Sequence, residues 1–316
     1  MMVLSADKLD GLALRGLGAA GFTVVQCQGL APGNLPVQAA TAEILIVRST
    51  LVPKEILPQL PALKLILRAG AGTDTIDVAA AAARGIQVSN TPGRNADAVA
   101  EMALGLLLAA DRRIAEGTWA LRQGKWAKGA LGQGMGLKGR SLGLVGFGAV
   151  GSAMARKAQG LEMKVIAWSR SLTPESARDA GVAYAANLDE LARASDAISL
   201  HVASNGETRN LIGASFFANL KPGALFVNTS RGEVVDRTAL LDAIRSRALR
   251  AGLDVFAGEP KVPEAPFADV ELAALAVCTP HLGASTDQAA EAVAREAVRI
   301  AVEFRETGMA PNAVTV

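Results

Sequence analysis

His201 and His281 are the only histidines in this 316-residue chain. Histidine is the one side chain whose ordinary pKa lies between pH 5 and 8, so proton transfer by an imidazole near neutrality has just two candidates. His201 sits inside a strand-like run, Ile198-Ser199-Leu200-His201-Val202, which suits a structural residue or one at the edge of a cofactor. His281 follows the apolar run Ala276–Thr279 and Pro280 and precedes Gly283. That places it at the carboxyl end of a strand, where open α/β sheets gather their ligands, and makes it the better general acid.

A second pattern with chemical meaning is Gly146-Phe147-Gly148-Ala149-Val150-Gly151, which follows the apolar run Leu142–Val145 and opens an Ala-rich helical stretch, Ser152 to Gln159. Gly146 permits a tight turn, Gly148 lets a pyrophosphate approach the backbone, and Gly151 allows close helix packing. The phosphates of a dinucleotide then meet free N–H groups at a helix N-terminus. In a chain with 32 glycines the motif alone is weak, but its strand-turn-helix setting is the context that the pattern requires. The following strand, Lys164–Trp168, ends at Ser169-Arg170 rather than at an acid. A neutral hydroxyl removes the repulsion of a ribose 2′-phosphate, and a guanidinium can bind it, so NADP is expected over NAD. The alternative is that Arg170 is a solvated loop residue stacking over the adenine, which leaves both cofactors usable.

These residues need strands to carry them, and β-rich runs alternate with helical stretches through most of the chain. Phe22–Cys27, Glu43–Arg48, Leu63–Leu67 and Ile86–Val88 form a first series; Leu142–Gly146, Lys164–Trp168, Ala197–Val202, Ala224–Asn228, Ala251–Asp254 and Ala276–Thr279 form a second. Such alternation implies two doubly wound parallel sheets. Helices are expected over about Asn95–Ile114 and Thr286–Glu306. If the second packs back on the first sheet, the domains are residues 1–93 with 283–316, and residues 94–282. Half the residues are apolar and the net charge is +2, without a run of like charges for nucleic acid or lipid. The N-terminus lacks a secretion signal, and the apolar run Met102–Ala110 is half a membrane span, so a cytoplasmic protein without membrane segments is expected. Cys27 and Cys278 with two histidines assemble no metal-ligand spacing, so reduced thiols and no metal are expected. Asn228-Thr229-Ser230 reads as a chance match to a glycosylation triplet.

The stretches V-N-T-S-R-G-E-V-V-D (Val227–Asp236), G-L-D-V-F-A-G-E-P (Gly252–Pro260) and T-P-H-L-G-A-S-T (Thr279–Thr286) resemble the signatures of the D-isomer-specific 2-hydroxyacid dehydrogenases. So do L-I-V-R-S-T (Leu45–Thr50), L-R-A-G-A-G-T-D (Leu67–Asp74) and N-T-P-G-R-N (Asn90–Asn95), in the family's order. Within the family the likeness is closest to the catalytic core of phosphoglycerate dehydrogenases, enzymes of serine biosynthesis. The resemblance implies a Rossmann dinucleotide-binding domain plus a flavodoxin-like substrate domain, hydride transfer between a nicotinamide and a 2-hydroxy acid, and a homodimer. It implies that Arg231 binds the substrate carboxylate and carbonyl and that His281 donates and accepts the proton. Glu259 would hold the His281 tautomer and raise its pKa. Further cofactor contacts implied are Ala71, Ala149, Val150, Val202, Thr229, Ser230, Asp254, Gly283 and Ala284. Arg48, Ser49, Gly70 and Asn95 correspond to substrate positions, Asn95 also being a possible helix cap. A phosphorylated acid would need a second anion site, for which Arg48 and Ser49 are the candidates, giving 3-phosphoglycerate/3-phosphohydroxypyruvate with glyoxylate or hydroxypyruvate reduction as the runner-up. A cofactor-binding corepressor, which shares the core, is the alternative of another class. The sequence stops after the last core helix, so serine feedback is not expected.

Overall fold

The computed structural model describes residues 1–27, 29–30, 35–260 and 264–314. It divides into two compact units, Met1–Asn95 with Ser285–Val316, and Ala96–Ala284.

The first unit is a parallel sheet of β1 (Met2–Ser5), β2 (Thr23–Gln26), β3 (Ile44–Val47), β4 (Leu65–Arg68) and β5 (Gln87–Asn90), ordered β2-β1-β3-β4-β5. This is the doubly wound order of flavodoxin-like folds. Side chains alternate between faces, so apolar runs form where both faces are covered. Val3, Ile44, Ile46, Leu65 and Leu67 pack on one face with Leu17, Ile300 and Phe304. Leu4, Leu45, Val47 and Ile66 pack on the other with Leu57 and Ile86. The Asp287–Thr307 helix covers the first face; the Thr286 hydroxyl accepts the Ala289 N–H at 3.1 Å, and Gly308 ends the helix with φ 73°. A Cβ on Gly16 would lie 2.9 Å from Val298, so this glycine lets the Gly11–Ala19 helix approach closely. β1 has no counterpart among the strands expected from the sequence, because its apolar residues Met2, Val3 and Leu4 stand at the chain start with no preceding turn signal to bound them.

The second unit is a parallel sheet of β6 (Ser141–Val145), β7 (Lys164–Trp168), β8 (Ala183–Tyr184), β9 (Ala197–Leu200), β10 (Leu225–Asn228), β11 (Arg250–Leu253) and β12 (Val277–Cys278). Its order, β12-β11-β10-β9-β6-β7-β8, reverses between β6 and β9. The Ala96–Arg112 helix packs against β11 where a Cβ on Gly252 would stand 2.9 Å from Leu106. The helix expected to reach Ile114 ends earlier: Arg113 turns left-handed at φ 52°, and Ile114 opens a separate helix, Ile114–Arg122. Val99, Ala103, Leu106, Leu107 and Ala110 are buried, so the apolar face of the longer helix is core. Expected strand ends move by at most two residues, those of Lys164–Trp168 not at all, and the two-residue β8 was missed.

Candidate active site

Val145, Leu200 and Asn228 are register partners across neighbouring strands β6, β9 and β10, so Gly146, His201 and Thr229 follow at one carboxyl edge, at the topological switch. Gly146 has φ +97°, and a Cβ there would lie 2.5 Å from the His201 carbonyl and 2.8 Å from Val202. A Cβ on Gly151 would meet the Gly146 carbonyl at 2.3 Å, so this glycine seats the helix against its own turn. Gly148 caps the Ala149–Gly160 helix and faces open space, so its backbone is approachable. His201 Nδ1 and Thr229 Oγ1 are buried at this edge without a hydrogen-bond partner, although buried polar atoms are nearly always satisfied. An open glycine cradle beside orphaned polar atoms fits a dinucleotide. His201 Nε2 lies 3.0 Å from Ser199 Oγ. Burial lowers the His201 pKa to about 4, which keeps its ring neutral near pH 7.

Past β7, the Ser169 hydroxyl accepts the Leu172 N–H at 3.1 Å, and the Arg170 guanidinium pairs with Glu207 in the loop after β9. The pair is the feature that sequence spacing could not supply, because the partners are 37 residues apart.

Asn228, Leu253 and Cys278 are likewise register neighbours in β10, β11 and β12, so Arg231, Asp254, Glu259 and His281 all emerge from adjacent strand ends. Asn228 shapes the first turn: its oxygen accepts the N–H and hydroxyl of Ser230, and its amide donates to the Arg231 carbonyl at 2.9 Å. The glycosylation-like triplet is therefore a buried turn. A Cβ on Gly232 would fall 2.0 Å from the Ala257 nitrogen, so the Arg231 turn and the 254–259 loop lie backbone against backbone.

Asp254, 1% exposed, organises the His281 turn: Oδ1 accepts the Thr279 hydroxyl at 2.6 Å and the Leu282 N–H at 2.7 Å, and Oδ2 accepts the Gly283 N–H at 2.8 Å. Its carbonyl accepts the His281 N–H at 2.7 Å. These bonds hold His281 at φ 55°, a left-handed conformation uncommon outside glycine. The His281 ring, 44% exposed, presents Nδ1 to Glu259 Oε1 at 2.6 Å. With Nδ1 bound to a carboxylate, Nε2 is the nitrogen available to exchange a proton. The implied cofactor contact Asp254 is thus first an anchor of the His281 turn; Gly283 and Ala284 continue that turn.

The remaining positions lie in the first unit. Gly70 and Ala71 follow β4, their carbonyls accepting the Thr91 N–H at 3.0 Å and the Asn90 amide at 2.6 Å. Asn95 ends the unit. Arg48 and Ser49 follow β3 under the control of Asp7, which the sequence reading passed over. Burial alone would raise the Asp7 carboxyl, but hydrogen bonds from the Arg48 N–H, the Ser49 hydroxyl, and the Thr50 and Ser49 N–H groups outweigh it and hold the pKa below the ordinary range. The Ser49 proton is committed to Asp7 at 2.9 Å, so the anion site expected from Arg48 with Ser49 rests on Arg48 alone.

The profile of the D-isomer specific 2-hydroxyacid dehydrogenase NAD binding domain matches residues 104–283. A glyoxylate reductase from Thermococcus litoralis is 41% identical over 83% of this chain and 80% of its own. A D-3-phosphoglycerate dehydrogenase from Mycobacterium leprae is 42% identical over 100% of this chain, which spans 59% of that protein. Among solved structures, an NADPH-dependent glyoxylate/hydroxypyruvate reductase from Sinorhizobium meliloti, in complex with NADP and malonate, superposes with a TM-score of 0.84 at 28% identity, covering 99% of this chain and 96% of that one.

Proposed function

The chain belongs to the D-isomer specific 2-hydroxyacid dehydrogenases, NAD(P)-dependent oxidoreductases, and from that premise we propose that it interconverts 3-phosphohydroxypyruvate and 3-phosphoglycerate. The observation that carries the catalytic reading is the His281–Glu259 hydrogen bond, which leaves Nε2 of a strand-end imidazole open. Arg231 receives the substrate carboxylate on its planar fork. His281 then protonates the carbonyl oxygen from Nε2, and in the reverse direction takes the hydroxyl proton while Glu259 stabilises the imidazolium. The bound nicotinamide supplies or accepts the hydride. The residues that would hold it are Gly146, Gly148 and Gly151, the helix start at Ala149 and Val150, and Val202, Thr229 and Ser230, with Ser169 and Arg170 past β7.

Arg48 supports the phosphorylated substrate: its backbone is pinned, while its exposed guanidinium has no hydrogen bond or ion pair among the described residues and is available to an anion. Likeness to a glyoxylate reductase supports a second reading, reduction of glyoxylate or hydroxypyruvate. Steady-state kcat/KM for the four acids 3-phosphohydroxypyruvate, hydroxypyruvate, glyoxylate and pyruvate separates the two. Arg48→Ala should raise KM for the phosphorylated acid far more than for hydroxypyruvate; an equal effect on both removes the phosphate site.

NADP(H) is the favoured cofactor on this reading, since Ser169 offers no negative charge where NAD enzymes place one. The protein acts as a homodimer in the cytoplasm. The Ile114–Arg122 helix has no buried residue, and Trp119 and Trp126 are 65% and 82% exposed, an apolar surface that suits a partner copy.

A further inference from the structure

We infer that Asp7 is the positioning residue of the substrate loop, the group that holds Arg48 ready for the second anion of the substrate; this rests on the reading of Arg48 given above. Asp7 lies two residues past β1, and residues 48–50 lie directly past β3, which is hydrogen-bonded to β1 with Ser5 opposite Ile46. The two loops therefore start side by side. Oδ2 of Asp7 accepts three consecutive backbone N–H groups, from Arg48 at 2.6 Å and from Ser49 and Thr50 at 3.2 Å each. Oδ1 accepts the Ser49 hydroxyl, and the Thr50 hydroxyl donates to the Ala6 carbonyl at 3.2 Å. Successive N–H groups converging on one oxygen form a backbone nest, normally a receptor for a free anion.

Here the protein's own carboxylate fills the nest. Two consequences follow. The loop's N–H groups are unavailable to substrate, so recognition at this edge falls to the side chain of Arg48. The backbone of that arginine is also fixed before substrate arrives, which removes an ordering cost from binding. An isolated side-chain bond would merely tether the loop; three N–H groups on one oxygen set the dihedrals of successive residues.

The test measures KM and kcat for 3-phosphohydroxypyruvate, cofactor Kd by fluorescence titration, and Tm, for Asp7→Ala, Asp7→Asn and Arg48→Ala. Asp7→Ala should raise KM about ten- to a hundredfold, the scale of losing hydrogen bonds to a charged acceptor, with kcat and cofactor Kd within about threefold of wild type. Asp7→Asn should recover most of the loss, because its amide oxygen can still accept the three N–H groups. If Asp7→Ala does not fold, Asp7→Ser, whose hydroxyl stops short of the loop, should show the same rise in KM. An unchanged KM in the truncated variant, or KM, kcat and cofactor Kd deteriorating together, overturns the assignment. A KM raised by Arg48→Ala but not by Asp7 truncation sinks the Asp7 proposal alone; a KM indifferent to Arg48→Ala sinks the underlying anion-site reading.

Discussion

At 2.6 Å from Nδ1, the Glu259 carboxylate leaves Nε2 as the nitrogen of His281 that the proposed reaction would use. His281→Gln should lower kcat by about 10²–10⁴, the scale of losing general acid catalysis, with substrate binding largely kept. Because Glu259 acts through His281, the double variant His281→Gln/Glu259→Gln should be little slower than His281→Gln alone. Additive losses in single-turnover rates would show that the carboxylate works by another route. His201 should behave differently. Its folded pKa is depressed to about 4 from 6.5, so between those values the unfolded chain binds the proton and the folded chain does not. The stabilisation is full above pH 6.5 and is withdrawn as pH falls toward about 4. The loss is on the order of 2–3 kcal/mol. Urea unfolding at pH 7 and pH 4.5 should show a smaller difference for His201→Gln than for wild type; identical pH dependence would mean that His201 is not buried as a neutral ring.

On the proposed reading, cofactor choice belongs to the loops between elements. Glu207 faces Arg170 across two exposed side chains, a pairing that contributes little in water but would compete with a ribose 2′-phosphate for the same fork. Ser169→Asp with Arg170→Pro should reverse an NADPH preference, while Glu207→Gln should widen it by about two- to fivefold, the range of an exposed ion pair. Direct titration of both reduced cofactors checks this, and wild type binding NADH more tightly than NADPH defeats the premise. The contrast between Ser169 and Glu207 marks what the sequence reveals. Strands such as β7 were legible because a sheet covered on both faces leaves an apolar run, here Val165–Trp168, and the glycine motif because each glycine answers a local backbone demand. The His281 position was legible from strand, proline and glycine order. Glu207, Asp7 and the turn-forming role of Asn228 were not. Glu207 and Asp7 meet partners brought near only by sheet order, and Asn228 forms an ordinary turn under a misleading triplet.

At the scale of the molecule, the Ile114–Arg122 helix gives a direct test of assembly. Light scattering at micromolar concentration should report a dimer, and Trp119→Glu with Trp126→Glu should yield monomers without loss of secondary structure; a wild-type monomer rejects the assembly. The two units differ in how the chain builds them. Ala96–Ala284 is continuous, whereas the first unit recruits its final helix, Asp287–Thr307, and an edge contact from Val314 to the Val88 carbonyl at 2.7 Å, from the far end of the chain. On a ribosome adding about 5–20 residues per second, roughly ten to forty seconds separate the emergence of β5 from that of the closing helix. During that interval Val3, Ile44, Ile46, Leu65 and Leu67 lack the cover that Ile300 and Phe304 later provide. The first unit to be translated is thus the last to be completed, and the nascent chain should depend on chaperone protection of its N-terminal sheet while the middle of the protein folds without it.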